Sequence, residues 1–384
     1  MKKFIFLTVA LIAFVIFVVI KAMAGPGNID KVESVDGTLL SNKCSIEPPR
    51  IEAMSTSKLS EVRALGDLDR KCGSETASTL MIFTIIPKDS IVAKKMAVEM
   101  AESLREYENV GISPLVVVEP DSDWGLIDFS EFNSGFYDNW IDDYFQELSA
   151  LGINDQMLGT WVPFPEANLP YWNHQNTNPQ EFSSAVNRYL SIYKRNFPDA
   201  KASILLNSAT YPTDDYNWSE GEYVSLEPYV SGIDKDLIDS FGIQGFPWMP
   251  EASVKADPLF DPIEFMQIRL AKEAADILGI KKIWINTGTF AAKYAQEEDK
   301  KVIVPASIRK RILDDILIEA NRLKNQGYEV SVNIFAEDKT QSAEATDWSY
   351  WGSEFTNNPG HEVALLDFLK TANSQEISVS LFLN

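Results

Sequence analysis

Cysteine and histidine are scarce in this chain: there are two of each among 384 residues. His174 and His361 have no cysteine or histidine near them, which removes the usual ligand sets of zinc and other transition metals. The same scarcity, without a G-x-S-x-G turn, leaves little room for a Ser-His-Asp or Cys-His nucleophile system. No G-x-G-x-x-G follows an apolar run, so a dinucleotide site has no support. Basic residues are also few. The 34 Lys and Arg stand against 56 Asp and Glu, a formal charge of −22. That balance argues against nucleic acid, anionic lipid or a polyanionic glycan as partner. Hydrolytic chemistry here has to run on carboxylates, and no metal or organic cofactor is implied.

One long apolar run stands at the start. Phe4 to Ile20 holds Thr8 as its only polar residue, with Lys2-Lys3 before it and Lys21-Ala22-Met23-Ala24-Gly25 after it. The run is long for a signal peptide and at the short limit for a spanning helix. Two readings of residues 1–24 therefore stand: a cleaved signal peptide, or a membrane anchor through residues 4–20. Either one exports the remainder, leaving it extracellular or membrane-anchored and facing outside the cytoplasm. In an exported chain Cys44 and Cys72 are expected to form a disulfide that pins the N-terminal segment. Residues 25–78 are polar, without sustained periodicity, and read as a linker with one short helix around Lys58–Leu68.

From Thr79 onward the texture changes. Short β-branched runs alternate with helix-length amphipathic ones over residues 79–384. The predicted strands are Leu80–Ile86, Leu115–Val118, Met157–Val162, Ala202–Leu206, Ile238–Ile243, Lys282–Ile285 and Tyr328–Phe335. Between them the spacing predicts helices over Ser90–Tyr107, Tyr137–Leu151, Pro179–Phe197, Pro262–Leu278 and Ser307–Gln326, with Glu362–Thr371 after the last. Near-continuous apolar strands separated by helices indicate an α/β parallel sheet covered on its outer face. Seven such units approach the eight of a (β/α)8 TIM barrel. The eighth strand is expected either within residues 25–78 or in the closing run Ile377–Leu383. The charged run Gln296–Lys301 reads as a solvated loop.

In a barrel of this kind the loops after the strands form the active face. Collected there are Glu119, Asp121 and Trp124; Glu166, Asn168, Tyr171 and Trp172; then Asn207, Tyr211 and Trp218. Gln244 and Trp248, Asn286 and Thr287, and Glu337, Asp338, Asp347, Trp348, Tyr350 and Trp351 follow. Six of the nine tryptophans fall in these loops, where flat rings can stack on sugars. The stretch Leu158–Trp172, L-G-T-W-V-P-F-P-E-A-N-L-P-Y-W, delivers one carboxylate into a loop of amides and rings. That is the equipment for protonating a glycosidic oxygen.

In their order these motifs resemble glycoside hydrolase family 26, the β-mannanase and β-glucanase group of retaining barrel enzymes. The likeness runs from V-V-V-E-P at Val116–Pro120 through S-G-F-Y-D at Ser134–Asp138 to the Glu166-x-Asn168 loop closed by Trp172. It continues with S-F-G-I-Q-G-F-P-W at Ser240–Trp248, W-I-N-T-G at Trp284–Gly288 and D-W-S-Y-W at Asp347–Trp351. The resemblance implies a neutral β-linked polysaccharide or oligosaccharide as partner. It makes Glu166 the general acid/base on the family's fourth strand. The loop residues themselves make Asn168, Tyr171, Trp172, Gln244, Trp248, Asn286, Trp348, Tyr350 and Trp351 the candidate substrate-binding residues.

Two positions depart from that pattern. Pro165 stands where the family has a histidine, and Asn286 stands where it has the nucleophilic glutamate, at the end of its seventh strand. An amide cannot replace a carboxylate that must attack the anomeric carbon and then leave. Glu337 or Asp338 on the neighbouring strand, Glu119 as a partner of the acid, or an inverting mechanism across about 6.5–9.5 Å are the physical alternatives. Two functions remain open: a glycoside hydrolase with a relocated second carboxylate, and an inactive barrel serving as a carbohydrate-binding or cell-envelope recognition protein.

Overall fold

The computed structural model describes residues 79–110, 113–122, 125–168, 178–208, 225–245, 268–288, 293–296, 300–303, 305–335, 338–339, 346–347 and 360–382. In chain order they begin with β1 (Thr79–Thr84), α1 (Ser90–Val110), β2 (Ser113–Val118) and a short hairpin of β3 (Asp121–Ser122) and β4 (Gly125–Leu126). Then come α2 (Phe129–Ser134), α3 (Asp138–Ala150), β5 (Thr160–Pro163), α4 (Pro179–Asn196), β6 (Lys201–Asn207), α5 (Glu227–Val230) and β7 (Ser240–Gly245). The last third holds α6 (Ile268–Leu278), β8 (Lys282–Thr287), β9 (Lys293–Gln296), β10 (Lys300–Ile303) and α7 (Ala306–Asn325). It ends with β11 (Glu329–Phe335), β12 (Asp338–Lys339), β13 (Thr346–Asp347), α8 (Gly360–Ser374) and β14 (Ser378–Phe382).

Among the described residues eight strands form one sheet in the order β1-β2-β5-β6-β7-β8-β11-β14. Every neighbouring pair in that order is parallel. Its two end strands, β1 and β14, lie against each other, which curls the sheet toward a barrel. The closing run supplies the eighth strand, so the C-terminus fills the place beside β1. Counted in chain order, Glu166 therefore follows the third barrel strand, β5, where the resemblance implies the fourth. Asn286 lies in the sixth, β8, so the interval of three strands between the two residues is the one the resemblance implies.

The helices cover the outer face with the spacing the sequence carries. In α1, Ala93, Ala97, Met100, Ala101, Leu104 and Tyr107 are buried, a stripe of helical period, and Asp89 Oδ1 caps the start by accepting the Ile91 and Val92 N–H groups at 2.8 Å each. Asn178 caps α4 in the same way, with Pro179 at its first turn. Trp161 on β5 is fully buried against Phe145 of α3 and Tyr193 of α4, ring centroids 5.2 and 5.4 Å away. Each such ring holds the layers together by about 3–5 kcal/mol.

The motif Ser134–Asp138 turns out to be local architecture. Gly135 ends α2 in the left-handed region at φ 91, which a residue with a Cβ adopts only under strain. Asp138 then holds Arg188 of α4 through two 2.6 Å bonds.

Beside the barrel a small antiparallel sheet runs β10-β9-β13-β12. It corrects the reading of Gln296–Lys301 as a loop: Gln296 pairs with Lys300, and Ala295 with Lys301, in a hairpin. Charged sequence hid these strands, because a hairpin pairs through its backbone and needs no apolar alternation. The segments 4–20 and 58–68 and the pair Cys44 and Cys72 lie outside the described residues. Among the described residues no helix is long and apolar enough to cross a membrane.

Candidate active site

The barrel's inner face is fixed by one hydrogen bond across it. Trp284 Nε1 of β8 donates to Ser203 Oγ of β6 at 2.7 Å, passing over Gly242 of β7. A Cβ on Gly242 would lie 2.3 Å from the Trp284 ring, so only glycine leaves the indole its place. Strand alternation then assigns the same face to Ser203, Leu205 and Asn207, to Gly242 and Gln244, and to Trp284 and Asn286. Two residues beyond Trp284, at the C-terminal end, the register aligns Asn207, Gln244, Asn286, Asn333 and Ser380 in a single row. The inner rim is therefore a row of side-chain amides.

Glu166 is delivered to this rim by a defect in β5. Thr160 pairs with Lys201 and Trp161 with Ala202, yet the Glu166 N–H donates to the Leu205 carbonyl at 2.8 Å. Regular pairing from Thr160 would bring Pro165 to that position, so the strand contains one extra residue, as in a β-bulge. Phe164 and Glu166 take up the excess with φ of 52 and 54. Left-handed backbone at two non-glycine residues costs on the order of 1 kcal/mol or more each and collects at functional sites. Phe164 is turned outward by it, edge-on to Phe129 and Phe132 at 5.1 and 5.2 Å. Tyr189 of α4 meets the same ring at 5.9 Å.

Glu166 is only 8% exposed. Asn207 Nδ2 donates to its Oε1 at 2.6 Å, and the Gln244 side chain supplies a second hydrogen bond. Burial outweighs both and pushes the carboxyl up from 4.5 to about 7, with the charge of Glu119 adding in the same direction. Glu119 follows β2, its N–H bonded to the Thr84 carbonyl at 2.9 Å. It acts on Glu166 as a neighbouring charge. Asn168 is buried beside them and bonds the backbone of Asn207.

Gln244 is oriented from its other end. Asn286 Nδ2 donates to Gln244 Oε1 at 2.5 Å, which leaves the Gln244 amide nitrogen for Glu166. Among the described residues two polar atoms at this end of the barrel are buried without a hydrogen-bond partner, Asn286 Oδ1 and Ser208 Oγ. Thr287 Oγ1 is satisfied by the Gly245 carbonyl at 2.7 Å.

The structure thus brings together Glu166, Glu119, Asn168, Gln244 and Asn286 from the sequence-derived candidates. Glu337, Tyr171, Trp172, Trp248, Trp348, Tyr350 and Trp351 lie outside the described residues. Sequence reasoning placed Asn207 in a loop, whereas it ends β6 and holds the acid. Asn333, buried in β11, was missed; a lone amide inside the apolar run V-S-V-N-I-F was its signal.

Comparison with solved structures gives the fold. A structure of fungal β-1,4-galactanases superposes with a TM-score of 0.50 at 11% identity, covering 80% of this chain and 91% of that one. The chain is a (β/α)8 barrel. The family 1 β-glucosidase from Thermotoga maritima superposes with a TM-score of 0.49 at 12% identity, covering 83% of this chain and 86% of the other. No protein-family model and no curated protein sequence matches the chain.

Chemically, the arrangement is one protonatable carboxyl, poised near neutrality, set in a rim of neutral donors and acceptors. A carboxyl of this kind can give a proton to a leaving oxygen and later take one from water. The amides suit sugar hydroxyls, which both donate and accept.

Proposed function

We propose that this protein is an exported glycoside hydrolase of the family 26 type acting on a neutral β-linked glycan, with Glu166 as general acid/base. One observation carries the reading: a buried carboxyl pushed up to about 7, held by two amides on the inner rim of the barrel. A general acid works best when its pKa lies near the operating pH. The excess of acidic residues suits a neutral glycan, and a β-linked galactan is the substrate named for the fungal neighbour. Residues 1–24 serve as the export signal or anchor.

Asn286 at the expected nucleophile position favours a second reading, an inactive barrel that binds carbohydrate at the cell envelope. The two separate in one assay. Purified protein is incubated with mannan, β-glucan, xylan and a β-linked N-acetylglucosamine oligomer, and new reducing ends are counted. Release that disappears in Glu166→Ala supports the hydrolase. Tight binding without turnover in either form supports the binding protein, and neither binding nor turnover overturns both.

A further inference from the structure

We infer that Asn286 receives the N–H of a 2-acetamido sugar, and that this sugar's own carbonyl oxygen is the nucleophile of the reaction. The inference rests on the hydrolase reading and names its substrate class: a glycan with a β-linked N-acetylhexosamine at the cleaved position.

Asn286 is fully buried, three strands from the one that delivers Glu166. Its Nδ2 is committed to Gln244, whose other end faces the Glu166 carboxyl, so the amide cannot flip without breaking that chain. The Oδ1 is thereby fixed as an acceptor, and among the described residues it has no hydrogen-bond partner. An unpaired buried carbonyl forfeits its hydration without compensation, a loss that a ligand donor would make good. The missing partner is therefore a donor, placed where a retaining enzyme would keep a carboxylate.

An amide oxygen cannot form and release a glycosyl ester, so the attacking atom has to arrive with the substrate. A 2-acetamido group brings one within reach of C1. Its carbonyl oxygen attacks C1 while the C1–O glycosidic bond breaks, and the Glu166 proton passes to the departing oxygen. The acetamide closes into an oxazolinium ring whose N–H is held by Asn286 Oδ1. Water then attacks C1 and gives its proton to the Glu166 carboxylate. The ring opens, restoring the acetamido group and the protonated acid with the anomeric configuration retained.

The test uses the full chain with 4-methylumbelliferyl glycosides of chitobiose, cellobiose and mannobiose, and a chitobioside carrying N-trifluoroacetyl groups. The expected result is release from the chitobioside alone, slowed by an order of magnitude or more on fluorination, which weakens the carbonyl nucleophile. Asn286→Ala should lose about a hundredfold or more in kcat, while Asn286→Asp, which keeps an acceptor oxygen but gives up the donor to Gln244, should lose less. Comparable release from cellobioside or mannobioside, or indifference to fluorination, overturns this inference and leaves the hydrolase standing. Chitobioside bound but not cut also overturns it. No release from any substrate and no binding removes the hydrolase reading as well.

Discussion

Asn168 grips the backbone of Asn207 with both ends of its side-chain amide: Nδ2 donates to the Asn207 carbonyl at 2.8 Å, and Oδ1 accepts the Asn207 N–H at 2.9 Å. The amide thus imitates a strand neighbour where β5 has already left the sheet. It fixes the residue whose own side chain holds Glu166. The E-A-N spacing is therefore a positioning device, in which the asparagine reaches the acid through the next strand.

Asn168→Ala should strip both bonds from buried groups and destabilise the protein by about 1–3 kcal/mol. Urea unfolding of the variant checks this. The same change should loosen Asn207 and raise the pKa of Glu166, moving the upper limb of the pH–rate profile to higher pH. A variant with wild-type stability would mean that the Asn207 backbone finds other partners.

Glu166 makes stability fall as pH rises. Its pKa is about 7 in the folded chain against 4.5 unperturbed, so between those values the folded state holds a proton that the unfolded state has released. The contribution is fully present below pH 4.5 and is lost as pH climbs through 7, on the order of 3 kcal/mol in all. Glu166→Gln should flatten that stretch of the curve, measured as the difference in Tm between pH 5 and pH 8. Activity should decline above pH 7 as the general acid loses its proton. A Tm difference equal in wild type and variant would place the carboxyl in a wetter setting.

Gly242→Ala tests the inner face. The new methyl would meet the Trp284 ring at 2.3 Å, and the ring is held in place by its bond to Ser203. Overpacking of this kind costs about 1–3 kcal/mol. Because Gln244 lies two residues on, activity should fall along with Tm in thermal unfolding and hydrolysis assays. Trp284→Phe combined with Gly242→Ala should recover part of the stability by vacating space.

Most of the barrel was legible because buried parallel strands are apolar on both faces, and a run such as Leu115–Val118 admits few other readings. The eighth strand stayed ambiguous: which end of the chain completes a ring of strands depends on the partner beside β1, and apolarity does not encode it. Glu166 was readable as a carboxylate at a strand end. The extra residue that aims it was not, because Phe164 and Glu166 carry no sign of left-handed backbone; glycine would have. Asn333 escaped for a different reason, since a single amide in an apolar strand resembles a tolerated core residue until the register aligns it with Asn286.

Asn207 separates hydrogen bonding from burial as the source of the Glu166 pKa. Its Nδ2–H stabilises the charged carboxylate and so works against burial, which dominates. A hydrogen bond to a charged group contributes about 1.5–3 kcal/mol, which corresponds to roughly one to two pH units. Asn207→Ala should therefore move the alkaline limb of kcat/KM upward by up to that amount, with the acid protonated over a wider range. Asn207→Asp should move it further, because a second carboxyl beside Glu166 opposes its ionisation and the two titrate as a pair. A limb that stays in place in both variants would mean that Asn207 positions the carboxyl without setting its charge.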